Sequence, residues 1–125
     1  MNKILVVDDE ALARKLLKDF LEVKGYDVIT ASGGKEALEK IRKGPDIVLL
    51  DIMMPDMNGM EVLDKIKETS PSTVVIMVTA LAENAIGVES IKRGAFDFVT
   101  KPIDLNHLEF LIEFKILQQS VEDEP

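Results

Sequence analysis

Five side chains in this sequence could do chemistry together: the carboxylates of Asp8, Asp9 and Asp51, the hydroxyl of Thr79 and the amine of Lys101. Each follows an apolar run. Ile4-Leu5-Val6-Val7 leads to Asp8-Asp9, Ile47-Val48-Leu49-Leu50 to Asp51, Val74-Val75-Ile76-Met77-Val78 to Thr79, and Phe96-Asp97-Phe98-Val99-Thr100 to Lys101-Pro102. Short apolar runs bounded by turn residues read as strands buried on both faces, so these polar groups sit where strands leave a core. Three carboxylates gathered at the edge of a low-dielectric interior repel one another. A hard cation relieves that conflict. Oxygen-only ligands without His or Cys suit Mg²⁺, Mn²⁺ or Ca²⁺, and an incomplete cage with room for water and phosphate is the habit of Mg²⁺. A carboxylate nucleophile, a metal, an ammonium and a hydroxyl would together stabilise the charge on a transferring phosphoryl group.

The elements that must position these groups alternate regularly. Glu10 to Lys24 carries Leu12, Leu16, Leu17, Phe20 and Leu21 at helical spacing, and Gly25 ends that helix. Tyr26 to Ala31 reads as a second strand, with Ser32-Gly33-Gly34 as the turn into a helix through Lys43, stopped by Gly44-Pro45. Asn58-Gly59 opens a third helix to about Thr69, with Met60, Val62, Leu63 and Ile66 apolar. The fourth helix, about Glu83 to Arg93, is thin in apolar residues (Ala85, Ile86, Val88, Ile91), and Gly87 marks it as the least secure. Asp104 starts a last helix to about Gln119, and Val121 to Pro125 reads as a frayed tail.

Five strand and helix alternations imply a doubly wound α/β fold: a five-stranded parallel sheet with five helices on its two faces, each crossover right-handed. The common order 2-1-3-4-5 places ligands beyond the carboxyl ends of strands 1 and 3. Those ends carry Asp8, Asp9 and Asp51, and Thr79 and Lys101 reach the same edge from strands 4 and 5.

At 125 residues, with 46% hydrophobic and 30% charged, the chain has the makings of one globular domain. It has no cysteine, which removes disulfides, thiolate metal sites and cysteine nucleophiles. Its 23 acidic and 15 basic residues give a net charge of −8, which disfavours direct nucleic-acid binding. No stretch is long enough to span a membrane and no signal-peptide pattern opens the chain, so a cytoplasmic location is expected.

Over essentially its whole length the chain resembles the receiver domains of bacterial two-component response regulators, which are flavodoxin-like in fold. The resemblance rests on Asp8-Asp9-Glu10, on Asp51 with Met54-Pro55 and Gly59, on Thr79-Ala80 and on Lys101-Pro102. It implies that Asp51 accepts phosphate from a phosphohistidine of a sensor histidine kinase or phosphotransfer protein. It implies a Mg²⁺ cofactor held by Asp9 directly, Asp8 largely through water, Asp51 and the Met53 carbonyl. Thr79 and Lys101 would hold the phosphoryl oxygens, and Phe98 would be the aromatic whose rotamer follows Thr79. Lys101-Pro102 resembles the family's cis peptide. The output implied is a changed surface of the fourth helix, fifth strand and fifth helix, read by an output domain or partner protein. Residues 1–119 would form the receiver domain, and 120–125 an acidic tail or the start of a linker.

Other functions fit less well. A binding module that works without phosphorylation has no need of all five polar residues. A free-standing hydrolase with an Asp nucleophile would want a second acid where Met53 stands, so no independent enzyme is expected beyond phosphotransfer to the domain itself and its own dephosphorylation. No Gly-rich phosphate loop supports nucleotide binding. His107, in the last helix, reads as a surface residue. That helix carries two apolar stripes: Leu105, Leu108, Ile112 and Ile116 should face the sheet. Phe110, Phe114, Leu117 and Val121 lie roughly opposite at coiled-coil spacing, which predicts a homodimer.

Overall fold

The chain opens with strand β1 (Lys3–Val7) and helix α1 (Ala11–Val23), followed by β2 (Asp27–Ala31), α2 (Gly34–Lys40), β3 (Ile47–Asp51) and α3 (Gly59–Thr69). It closes with β4 (Val74–Ala80), α4 (Asn84–Lys92), β5 (Asp97–Lys101) and α5 (Leu105–Glu122). The computed structural model describes residues 2–80 and 84–122. All strand pairs are parallel, in the order β2-β1-β3-β4-β5. This is the doubly wound arrangement expected from the alternation of apolar runs and amphipathic segments.

Alternation along the strands divides the core into two layers. Ile4, Val6, Ile47, Leu49, Ile76 and Val78 pack with Leu17 and Leu21 of α1 and Leu108, Leu111 and Ile112 of α5. Leu5, Val7, Val48, Leu50, Val75 and Met77 pack on the other face with α2 and α3 through Ala37, Val62, Leu63 and Ile66. Every residue of β3 is buried, so this strand can present polar chemistry only at its end.

The rim opposite the carboxylates is tied by Asp46. Its carboxylate accepts the Lys3 N–H at 2.8 Å, its own N–H donates to the Lys3 carbonyl at 2.8 Å, and its carbonyl accepts the Val74 N–H at 3.0 Å. The starts of β1, β3 and β4 are thereby joined. Gly25, at φ +96°, supplies the left-handed residue that releases α1 into β2.

Several boundaries and faces differ from the sequence reading. The second helix ends at Lys40 and tightens into a 3₁₀ turn over Ile41–Lys43. The last helix continues to Glu122, so Val121 and Glu122 are helical rather than frayed. Glu83, the expected start of the fourth helix, and residues 123–125 of the expected tail lie outside the described residues.

Leu12 and Leu16 do not join the buried stripe of α1; they are 81% and 59% exposed. At about 100° per residue they lie roughly 140° and 100° around the helix from Leu17, too far to reach the sheet. In α4 the buried residues are Gly87 and Ser90, while Val88 and Ile91 face outward. A thin helix by apolar count is thus a close-packed one by size: a β-carbon on Gly87 would lie 2.5 Å from Cδ2 of Phe98.

On α5, Leu108 and Ile112 are buried as expected, Leu111 joins them, and Leu105 and Ile116 are only partly covered. Phe110, Leu117 and Val121 are 61%, 66% and 64% exposed. Phe114 is partly accounted for within the chain, because it stacks on Phe96 with ring centres 6.5 Å apart. His107 is exposed, as expected. Among the described residues no helix is long and apolar enough to cross a membrane.

Candidate functional site

Parallel pairing in this strand order brings the ends of β1, β3, β4 and β5 to one edge. Val7 pairs with Leu50, Asp51 with Val78, Thr79 with Thr100 and Ala80 with Lys101, so the polar residues predicted as a group are gathered within one or two residues of a common line. Ligand-atom candidates on Asp8, Asp9 and Asp51 all lie within 4.8 Å of one another. Asp8 and Asp51 are buried, at 3% and 5% exposure, and Asp9 is open to solvent.

Local backbone structure fixes the carboxylates of Asp8 and Asp51. Asp8 Oδ1 accepts the Glu10 N–H at 2.9 Å, turning the chain into α1, and the Asp8 carbonyl accepts a guanidinium N–H of Arg14 at 2.7 Å. Asp51 Oδ1 accepts the Met53 N–H at 3.3 Å. The loop after Asp51 is closed at its neck, where the Gly59 N–H donates to the Ile52 carbonyl at 2.8 Å. Glycine is required there, since a β-carbon at 59 would sit 2.7 Å from the Ile52 Cα. Asn58 then caps α3 by accepting the Met60 N–H at 2.8 Å.

Lys101 reaches across this edge. Its Nζ donates to Asp51 Oδ2 at 3.1 Å and to Asp8 Oδ2 at 3.4 Å, and the peptide bond to Pro102 is cis. Burial pushes the Asp51 carboxyl above the ordinary aspartate value, and the Asp8 charge adds to that; the Lys101 hydrogen bond and charge only partly offset them. Burial by itself would lower the Lys101 pKa, but Asp51 and then Asp8 outweigh it and hold the ammonium above its ordinary value. An aspartate raised in this way takes stability from the fold as pH rises through its folded pKa. The raised Lys101 ammonium works in the opposite direction, stabilising the fold while it stays charged.

Thr79 is buried, and its hydroxyl contacts the Ala80 carbonyl at 3.3 Å. Phe98 pairs with Met77, two residues before Thr79 on β4, so Phe98 and Thr79 are diagonal neighbours on the same face of the sheet. Phe98 is half-buried, with its ring against α4 at Gly87. Met53 is 61% exposed at the mouth of the site.

The donor set fits a hard divalent cation: three carboxylates, no nitrogen or sulfur ligand, and one lysine already shared by two of them. Sequence reasoning missed the Lys101 contact to Asp8, and it missed Arg14. Arg14 binds a backbone carbonyl, which leaves no trace in the pattern of side chains.

A family model described as the response regulator receiver domain matches residues 4–113. The regulatory protein AtoC of Escherichia coli K12 is 38% identical over 125 residues, covering 99% of this chain and 27% of that protein; this chain therefore spans about a quarter of it. The chemotaxis protein CheY of Thermotoga maritima is 42% identical over 103 residues, 81% of this chain and 86% of that protein. Among solved structures, a response regulator receiver domain protein from Clostridium thermocellum superposes with a TM-score of 0.91 at 32% identity, covering 97% of this chain and 98% of that one. The chain belongs to the response regulator receiver domains of two-component signalling, phosphorylation-regulated switches whose acceptor site the Asp8, Asp9 and Asp51 pocket fits.

Proposed function

We propose that Asp51 is the phosphoryl acceptor and that a phosphohistidine of a sensor histidine kinase or phosphotransfer protein is the donor. The carrying observation is Lys101 Nζ held 3.1 Å from Asp51 Oδ2 and 3.4 Å from Asp8 Oδ2 at a buried strand end. An Asp51 oxygen attacks phosphorus, the phosphorus–nitrogen bond breaks, and the imidazole leaves with the bonding electrons, so an acyl phosphate forms on Asp51. Lys101 releases part of its hold on the carboxylate and follows the incoming phosphoryl oxygens, while the Thr79 hydroxyl donates to another. Asp8, Asp9, Asp51 and the Met53 carbonyl would hold Mg²⁺, which supplies charge neutralisation for the phosphoryl oxygens. Dephosphorylation by water at the same site makes the domain its own phosphatase and not an independent enzyme.

Transmission then passes from Thr79 to Phe98, its diagonal neighbour, and from Phe98 to α4, whose backbone touches the ring at Gly87. The output is a change in the α4, β5 and α5 surface, read by an output domain or partner protein. Exposed Phe110, Leu117 and Val121, with Phe114 beside them, support a homodimer through α5. Residues 1–119 make up the switch, and 120–125, the first three of which continue α5, keep two readings, an acidic tail or the start of a linker.

Incubation with acetyl phosphate should add one hydroxylamine-labile phosphoryl group, seen by intact mass, only with Mg²⁺ and only with Asp51 intact. Asp9→Ala should abolish the labelling and Asp8→Ala weaken it. Labelling that persists in Asp51→Asn moves the acceptor elsewhere and ends the assignment.

A further inference from the structure

The loop between Asp51 and α3 carries the Met53 carbonyl at one end and returns to the sheet at Gly59, and between them Met54 and Met57 are partly buried against the core. Among the described residues, the only hydrogen bonds joining 54–57 to another element are two accepted by Asp56. Its Oδ1 takes the Gly34 N–H and its Oδ2 the Lys35 N–H, each at 3.1 Å. These amides open α2, whose N-cap residue, Gly33, makes no side-chain cap hydrogen bond. Asp56 therefore supplies, from 22 residues downstream of Gly34, the acceptor that a local Ser or Asp would ordinarily provide.

The two glycines are shaped for this loop. A β-carbon on Gly33 would lie 2.6 Å from Asp56 Oδ1, and one on Gly34 would lie 2.7 Å from the Met57 Cβ. Met57 itself packs against the α2 and α3 side of the core. Asp56 and Met57 thus seat the loop tip in the space that the missing side chains leave.

We propose that Asp56 is a positioning residue for the metal site: by clamping the loop tip to the start of α2 it holds the preceding backbone, including the Met53 carbonyl, in the arrangement that receives Mg²⁺. This rests on the metal reading of Asp8, Asp9 and Asp51. With the clamp removed, residues 53–57 sample arrangements in which Met53 no longer faces the carboxylates. Apparent affinity falls by the fraction of time spent there. Groups that orient metal ligands from outside the ligand set commonly change affinity by about tenfold or more when removed.

The test is a MgCl₂ titration of the 125-residue chain followed by amide NMR, without any phosphodonor. Asp56→Ala should weaken binding about tenfold, and Asp56→Asn, which keeps one acceptor oxygen, should fall between it and the parent. Glu36→Ala is the control. It loosens the same turn by removing the acceptor of the Ser32 N–H and hydroxyl, at 2.7 and 2.9 Å, without removing either hydrogen bond to the loop, and should leave Mg²⁺ affinity unchanged. Equal loss in Glu36→Ala assigns the effect to α2 and overturns the proposal. Equal loss in Asp56→Asn and Asp56→Ala assigns it to charge and overturns it too. Unchanged affinity in Asp56→Ala, with faster exchange of the Gly34 and Lys35 amides, reduces Asp56 to a helix cap. A parent that binds no Mg²⁺ removes the metal reading itself.

Discussion

Replacing Gly87 by Ala separates two opposed effects whose sizes follow from the structure. In a helix interior Ala is favoured over Gly by about 0.5–1 kcal/mol, so propensity alone makes Gly87→Ala stabilising. The new methyl, however, would stand 2.5, 2.6 and 2.7 Å from Cδ2, Cγ and Cε2 of Phe98, where ordinary carbon contacts are about 3.5–4.0 Å. Either the ring or α4 must move by roughly 1 Å, and overpacking of this kind costs about 1–3 kcal/mol. The net expectation is a loss of about 0–2.5 kcal/mol. Phe98→Ala removes the obstacle, so in that background Gly87→Ala should gain the full propensity term of about 0.5–1 kcal/mol. Urea denaturation of the parent, both single variants and the double variant then gives a coupling energy of about 1–3 kcal/mol, as expected for residues in contact. A gain of the same size in both backgrounds would refute the reasoning. It would mean that the Phe98 ring does not occupy the space above Gly87, and that α4 is not mechanically joined to β5 at this point.

Thr79→Ala should still accept phosphate from acetyl phosphate but lose the shifts of α4 amides that accompany phosphorylation in the parent; if the shifts remain, Thr79 does not couple the site to α4. A Phe110→Glu, Phe114→Glu double variant should sediment as a monomer where the beryllofluoride-treated parent forms a dimer. A parent that stays monomeric at high micromolar concentration with beryllofluoride bound removes α5 as an interface. Glu36 is held at a pKa of about 2, first by the Ser32 backbone N–H, then by Lys40 and the Ser32 hydroxyl. A carboxylate depressed in this way stabilises the fold above its unfolded pKa and loses that contribution as pH falls toward about 2. The stability difference between the parent and Glu36→Gln should therefore be constant above about pH 5 and shrink below it.

The site was legible because its members stand at the ends of apolar runs. Once Ile4–Val7, Ile47–Leu50 and Val74–Val78 are read as buried parallel strands, order and handedness leave Asp8, Asp51 and Thr79 few places to go. What escaped was contact between side chains and backbone. Arg14 on the Asp8 carbonyl and Asp56 on the α2 amides involve partners that every residue carries, so nothing in the residue pattern marks them. The packing role of Gly87 went unread for a related reason. Periodicity scores apolar size, and the face that α4 turns to the protein buries the small Gly87 and Ser90 beside a partly buried Ile86, with Val88 and Ile91 outside. Gly33-Gly34 reads as a turn from sequence, although a pair of glycines also signals that something else needs the room.

The knot of hydrogen bonds around Asp46 makes a lever of α4. No group in it belongs to the acid cluster, so the starts of β1, β3 and β4 remain a fixed frame whatever charge Asp51 carries. At its C-terminal end α4 is fastened toward that frame, through the Ala95 N–H on the Ser90 carbonyl at 3.0 Å and the Phe96 N–H on the Val75 carbonyl at 2.8 Å. Its N-terminal end follows β4 out at the acid edge. On the proposed route, a push delivered by Phe98 at Gly87 would turn the helix about its fastened end near Ser90, and displacement would grow with distance from that end. Along nine residues of α4, about 13 Å of helix, the outward Val88 would then swing farther than Ile91 beside the hinge. Under the proposed transmission, a partner that rests on the first half of α4 would thus receive a larger signal than one that rests on the second.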